Sequence, residues 1–205
     1  MKATLLGVVA LLVVMMSFAG CAKEPTEAIN GVQAALEQAR TAEAAEYAPR
    51  ALAAAQDAQA ALQAELDAQK KKFALFRSYK HSQELAVAAQ TSAQQAQTDA
   101  VAGKERAKNE ATELIAQTRT ALEEARQMLA TAPRGKGSQA DIKALEADLT
   151  SVESTLSEVD GIFASGKYLS AKAKAQSALQ SVNRIKTDIT NAIEMQTKAR
   201  AGVRK

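Results

Sequence analysis

Tryptophan is missing from this chain, and cysteine and histidine occur once each, as Cys21 and His81. A lone cysteine excludes an internal disulfide. One imidazole with no second histidine cannot build a zinc site or a Cys/His catalytic pair by itself. Aromatic residues make up 3% of the 205 residues, and β-branched residues are sparse, which argues against a sheet. The 3 prolines and 9 glycines punctuate the chain and do not pervade it. No strong charge of one sign is present: the net charge is +3, with 24% charged residues of both signs. That balance describes a solvated surface and not a nucleic-acid footprint.

Alanine is abundant. About a quarter of the residues after position 20 are Ala. Alanine is the best helix former and has no side-chain entropy to lose. The composition therefore predicts an all-α chain of long helices. It also predicts a thin core, since a small side chain removes little apolar area from water. Helices lined by Ala approach closely and leave no room for a drug-sized cavity between them.

The first twenty-one residues differ from the rest. Lys2 is followed by an apolar stretch from Thr4 to Ala19, then Gly20 and Cys21. About 16 apolar residues match the length of a signal peptide and are short for a spanning helix. The Phe18-Ala19-Gly20-Cys21 end resembles the lipobox of bacterial lipoproteins, with Phe where that family commonly has Leu. The resemblance implies cleavage after residue 20 and acylation of Cys21. Ala22 stands where an inner-membrane retention signal usually shows Asp, which by the same resemblance implies the outer membrane, periplasmic face. An uncleaved anchor, or an ordinary secretory signal cut after Ser17-Phe18-Ala19, remains an alternative reading.

Five helices are predicted by apolar spacing. The first starts near Pro25-Thr26, carries Ile29, Val32, Leu36 and Ala39, and ends before Tyr47-Ala48-Pro49. The second runs from about Pro49 to Phe76, with a seam of Leu52, Ala55, Gln59, Leu62, Leu66, Gln69 and Phe73. Ser78-Tyr79 reads as a tight turn. The third runs from about Lys80 to Ala132, with Gly103 marking a bend. Pro133 to Ser138 reads as a loop, with Ser138 as an N-cap. The fourth has a strict heptad seam of Ile142, Leu145, Leu149, Val152, Leu156, Val159 and Phe163. The fifth begins near Tyr168 and carries Ala171, Ala175, Ala178, Val182, Ile185, Ile189 and Ala192. The expected organisation is a leader at 1–20, helices at 21–132, a loop at 133–138, a second hairpin at 139–196 and a basic tail at 197–205.

The hairpin occurs twice. Leu52, Leu62, Leu66 and Phe73 fall on Ile142, Val152, Leu156 and Phe163, and Tyr79 falls on Tyr168. An aromatic pair is expected at each closed end, Phe73 with Tyr79 and Phe163 with Tyr168. Repeats that cannot bury their apolar face alone must pack on a neighbour. The expected fold is therefore an elongated antiparallel helical bundle, two three-helix bundles sharing one long helix. A single long coiled coil with an added hairpin is the alternative. The Tyr47-Ala48-Pro49 segment, the Ala-rich helices and the Gly166-Lys167-Tyr168 turn resemble a family of Ala-rich bacterial envelope proteins filed as a domain of unknown function. That resemblance implies a helical, exported and often lipidated protein, and no activity.

No catalytic constellation is legible. His81 reads as an exposed turn histidine beside Lys80. Glu110, Glu113, Glu123 and Glu124 lie among Lys and Arg on a helix and read as a solvated face. Gly135-Lys136-Gly137 follows no strand and falls short of a phosphate loop. No cofactor or metal site is implied. Lys70, Lys71 and Lys72 complement the negative end of a helix dipole, and with Phe73 and Phe76 could also touch anionic headgroups. Arg204-Lys205 resembles the lysine-ended tail of the murein-lipoprotein family, which implies contact with the peptidoglycan wall. The chain thus reads as a non-catalytic scaffold held in a membrane by Cys21, with an envelope protein, peptidoglycan or a second copy as partner. A carrier of an acyl chain or other apolar ligand is the rival.

Overall fold

The computed structural model describes residues 23–132 and 139–203, with side chains up to Lys198. Six α-helices account for most of them, and no strand occurs among the described residues. We number them α1 (Thr26–Thr41), α2 (Ala44–Tyr47), α3 (Pro49–Lys71), α4 (Lys80–Thr131), α5 (Gln139–Ala164) and α6 (Tyr168–Val203). The all-α expectation holds. The expected leader at 1–20, Cys21, the loop at 133–138 and Arg204-Lys205 lie outside the described residues.

The helices form two units, one ending at Gly103 and one beginning at Lys104. Helix α4 contributes its first part to the first unit and its remainder to the second. In the first unit, α1, α3 and α4 enclose a core made largely of methyl groups. Ala35, Ala39, Ala55, Ala86, Ala89, Ala93, Ala96 and Ala100 are all buried. Val32, Leu36, Leu52, Leu62 and Leu66 supply the larger side chains. The α4 positions step by three and four residues, so one face of the helix carries them all.

The second unit is built differently. Leu122, Leu129, Ile142, Leu145, Leu149, Val152, Leu156, Val182, Ile185 and Ile189 fill its main core. Ile115, Val159, Ala171 and Ala175 form a second cluster. Burying a Leu, Ile or Val side chain contributes about 1.5–3 kcal/mol, against about 0.8 for one methyl group. Ion pairs border these seams. Arg119 grips both carboxylate oxygens of Asp160 at 2.8 Å. Lys172 reaches Glu110 and Lys186 reaches Glu124, each at 2.6 Å. Lys174 pairs with Glu158, and Arg126 with Glu153. These pairs are solvated, so each adds only tenths of a kcal/mol and mainly favours one register.

The first expected helix is interrupted. It stops at Thr41, and Glu43 takes a left-handed conformation (φ 61°) before the single turn of α2. The expected bend at Gly103 has a different explanation. Helix α4 is continuous through this residue, and a Cβ there would lie 2.6 Å from the Tyr47 carbonyl oxygen and 3.2 Å from its Cβ. Glycine is required because the α2 backbone crosses α4 at that point. The expected hairpin end at 196 is also corrected, since α6 continues to Val203. Loss of the apolar period does not end a helix whose remaining residues are themselves good helix formers.

Glycine replacements of opposite sign test this packing. Gly103→Ala is expected to destabilise the first unit by about 1–3 kcal/mol, despite the better propensity of Ala. Gly161→Ala, where nothing lies within 4 Å of the new methyl, is expected to stabilise by about 0.5–1 kcal/mol. Urea unfolding followed by circular dichroism measures both. Ser82 offers a third check. Its hydroxyl is fully buried among the Ala seam and has no hydrogen-bond partner. Ser82→Ala removes that orphan and is expected to raise stability by about 1 kcal/mol in the same assay.

Candidate functional site

The two hairpins close in different ways. Helix α5 ends in a Schellman turn. Gly166 (φ 80°) donates its N–H to the Phe163 carbonyl at 3.0 Å, and Lys167 donates to the Ile162 carbonyl at 3.3 Å. The Phe163 and Tyr168 rings meet across the turn, 5.1 Å apart and tilted by 60°. This is the aromatic staple expected for the second copy.

The first hairpin lacks that staple. Helix α3 stops at Lys71, not Phe76, and residues 72–79 form a loop with a 3₁₀ turn at Ala74–Phe76. Tyr79 is buried in the core of the first unit, but Phe73 points outward and does not pair with it. Phe73 instead lies beside Phe76, with centroids 6.4 Å apart. Phe73, Leu75 and Phe76 are 70%, 72% and 76% exposed. The seam expectation for Phe73 fails because the helix ends before reaching it.

Two side chains brace this loop. Gln69, buried in the seam, accepts the Ser78 N–H on Oε1 at 3.1 Å and donates from Nε2 to Glu65 at 2.6 Å. Arg77 donates from Nε to the Lys72 carbonyl and from Nη2 to the Lys70 carbonyl, both at 3.0 Å. Those carbonyls lack partners at a helix C-terminus, so Arg77 is the cap of α3. The apolar spacing places Gln69 on the seam of α3 but does not single out Leu75 or Arg77. A polar residue on a heptad seam just before a basic, Pro-free loop was the available signal.

Lys70, Lys71 and Lys72 sit at the end of α3, as the sequence placed them. Lys70 pairs with Glu24 at 3.1 Å, which brings the segment preceding α1 to this end of the first unit. From Lys70 to His81 the chain carries five cationic side chains and no carboxylate. His81 is exposed on the first turn of α4, with Nδ1 3.5 Å from Glu84.

The carboxylates considered as acid–base candidates are dispersed along α4. Glu110 and Glu124 hold Lys172 and Lys186, while Glu113 and Glu123 accept from Gln117 and Gln127 one turn on. Among the described residues, no three His, Cys, Asp or Glu side chains are grouped to hold a metal ion. No helix of the described residues is long and apolar enough to cross a membrane. A groove of about 300 Å³ lies between α5 and α6, lined by Asp148, Ser151, Thr155, Ser177, Arg184 and Asp188 among others. Val152, Ala178 and Ile185 also line it, and its surface is more polar than apolar. No known protein family, curated protein or solved structure matches the chain.

The brace makes the loop testable by itself. Gln69→Ala removes the acceptor of the Ser78 amide. Exchange of that amide with deuterium is expected to accelerate about tenfold, equivalent to losing roughly 1.4 kcal/mol of local protection. Amides in α5 and α6 are expected to be unchanged.

Proposed function

We propose that this chain is a membrane-anchored lipoprotein of the outer membrane, facing the periplasm, that acts as a non-catalytic scaffold. Acylated Cys21 holds it to the bilayer. The helical units present charged faces to an envelope protein or to peptidoglycan. The observation that carries this reading is the single cysteine placed at the end of an apolar run of signal length. Acylation matters physically because two or more chains hold a protein firmly, whereas one chain binds only marginally, at roughly 10⁴ M⁻¹.

Three further observations support the scaffold half of the proposal. The cores are filled by Ala, Leu, Ile and Val from adjoining helices, and Lys, Arg, Glu and Gln are prominent on the exposed faces. The groove between α5 and α6 carries Val152, Ala178 and Ile185 among a majority of Ser, Thr, Asp and Arg side chains, a lining more polar than an acyl chain requires. The dispersed carboxylates of α4 are engaged with lysines and glutamines.

Cys21→Ser tests the anchor. The native chain is expected in the membrane fraction, with a mature N-terminal mass carrying acyl groups. The Ser variant is expected to lack the acyl mass and to leave the membrane fraction on cleavage of the leader. An equally membrane-bound Ser variant overturns the anchor. Cross-linking in intact envelopes, followed by purification, is expected to recover a defined envelope protein or muropeptide. Recovery of neither overturns the scaffold.

A further inference from the structure

The loop at 72–79 exposes Phe73, Leu75 and Phe76 to solvent although the hairpin does not require it. The second hairpin closes within residues 165–167 and turns its aromatic pair onto itself. The first inserts a longer connection at the same place. That connection is ordered by Gln69 and Arg77, so its apolar side chains are held outward by a built frame. An apolar cluster displayed this way needs a partner.

Charge and connectivity identify that partner. Lys71, Lys72 and Lys80 flank the apolar side chains in sequence, while Lys70 is paired with Glu24 and Arg77 with the α3 carbonyls, and no carboxylate occurs between residues 70 and 81. Such a surface complements a layer of phosphates. The Lys70–Glu24 pair places Glu24 at this end of the unit. Cys21 stands three residues earlier in the sequence, a separation of at most about 11 Å of extended chain.

We propose that this loop is a membrane wedge: Phe73, Leu75 and Phe76 enter the headgroup–acyl boundary of a phospholipid bilayer, and Lys71 and Lys72 lie on its phosphates. The proposal rests on the anchored reading, since the acyl groups of Cys21 would hold the same end of the unit against the same surface. The wedge would then set the orientation of the first unit at the membrane, which a flexible tether alone cannot do.

The lack of tryptophan makes the test direct, because Phe76→Trp introduces a single reporter into the full chain. The control is Val101→Trp, an exposed α4 position about 30 Å along the helix from Lys80. Each purified chain is weighed by mass spectrometry and placed in vesicles of phosphatidylethanolamine and phosphatidylglycerol with brominated acyl chains. The Phe76→Trp chain is expected to shift to the blue and to be quenched severalfold more than the Val101→Trp chain. Adding Lys71→Gln and Lys72→Gln is expected to lower the inserted-to-exposed ratio about fivefold per lysine. An acylated Phe76→Trp chain quenched no more than the control overturns the wedge and leaves the anchor standing. A chain without acyl mass removes the anchor reading. The same protein is then added to preformed vesicles, where selective quenching supports the wedge and its absence overturns it. A blue shift that grows with protein concentration without vesicles assigns the loop to a second copy and also overturns the wedge.

Discussion

Close approach of helix backbones across alanine is the constraint on which the first unit depends. A methyl group contributes little burial by itself, so stability must come from many such contacts made at short range. Ala86, Ala89, Ala93, Ala96 and Ala100 all lie on one face of α4 and are buried. Gly103 extends the same logic to its limit, where even a methyl cannot fit against the Tyr47 backbone. The seam is therefore intolerant of enlargement more than of truncation. Ser82, of nearly alanine size, fits the seam geometrically while leaving a buried hydroxyl without a partner.

The second unit meets the same topological demand with other chemistry. Its seams carry Leu, Ile and Val, and solvated ion pairs join α4, α5 and α6 at their borders. Burial supplies most of the free energy, and the ion pairs mainly penalise shifted registers. One hydroxyl is used well here: Thr118 is buried and donates to the Leu114 carbonyl at 2.6 Å.

The closed ends of the hairpins show how similar repeats diverge in use. Gly166 allows the second hairpin to turn within three residues and to cover its aromatics. At the corresponding place the first hairpin has Arg77 and Gln69, which stabilise a longer loop through side-chain hydrogen bonds. A helix that would bury Phe73 is given up for a loop that displays it. Local preference and packing disagree at this point, and such disagreements tend to mark functional surfaces.

What the residues determined alone was the helical class, the seams and most helix starts. Turn, loop and cap residues placed α4, α5 and the start of α6 within a residue or so, and periodicity placed their buried faces, because a long apolar stripe has only one helical phase that buries it. Heptad residues from Ile142 to Val159 are buried as their spacing required. Tertiary structure alone decided where α3 ends, why residue 103 is glycine, and which aromatics are covered. Those outcomes depend on contacts that a helical period does not encode: Tyr47 against α4 and Glu24 on Lys70, brought together from far along the chain, and Arg77 on the α3 carbonyls and Gln69 on the Ser78 amide, made across the loop itself. A periodic pattern reports which face of a helix is apolar. It does not report how near the next backbone comes, or whether a side chain beyond the helix end finds a neighbour to cover it.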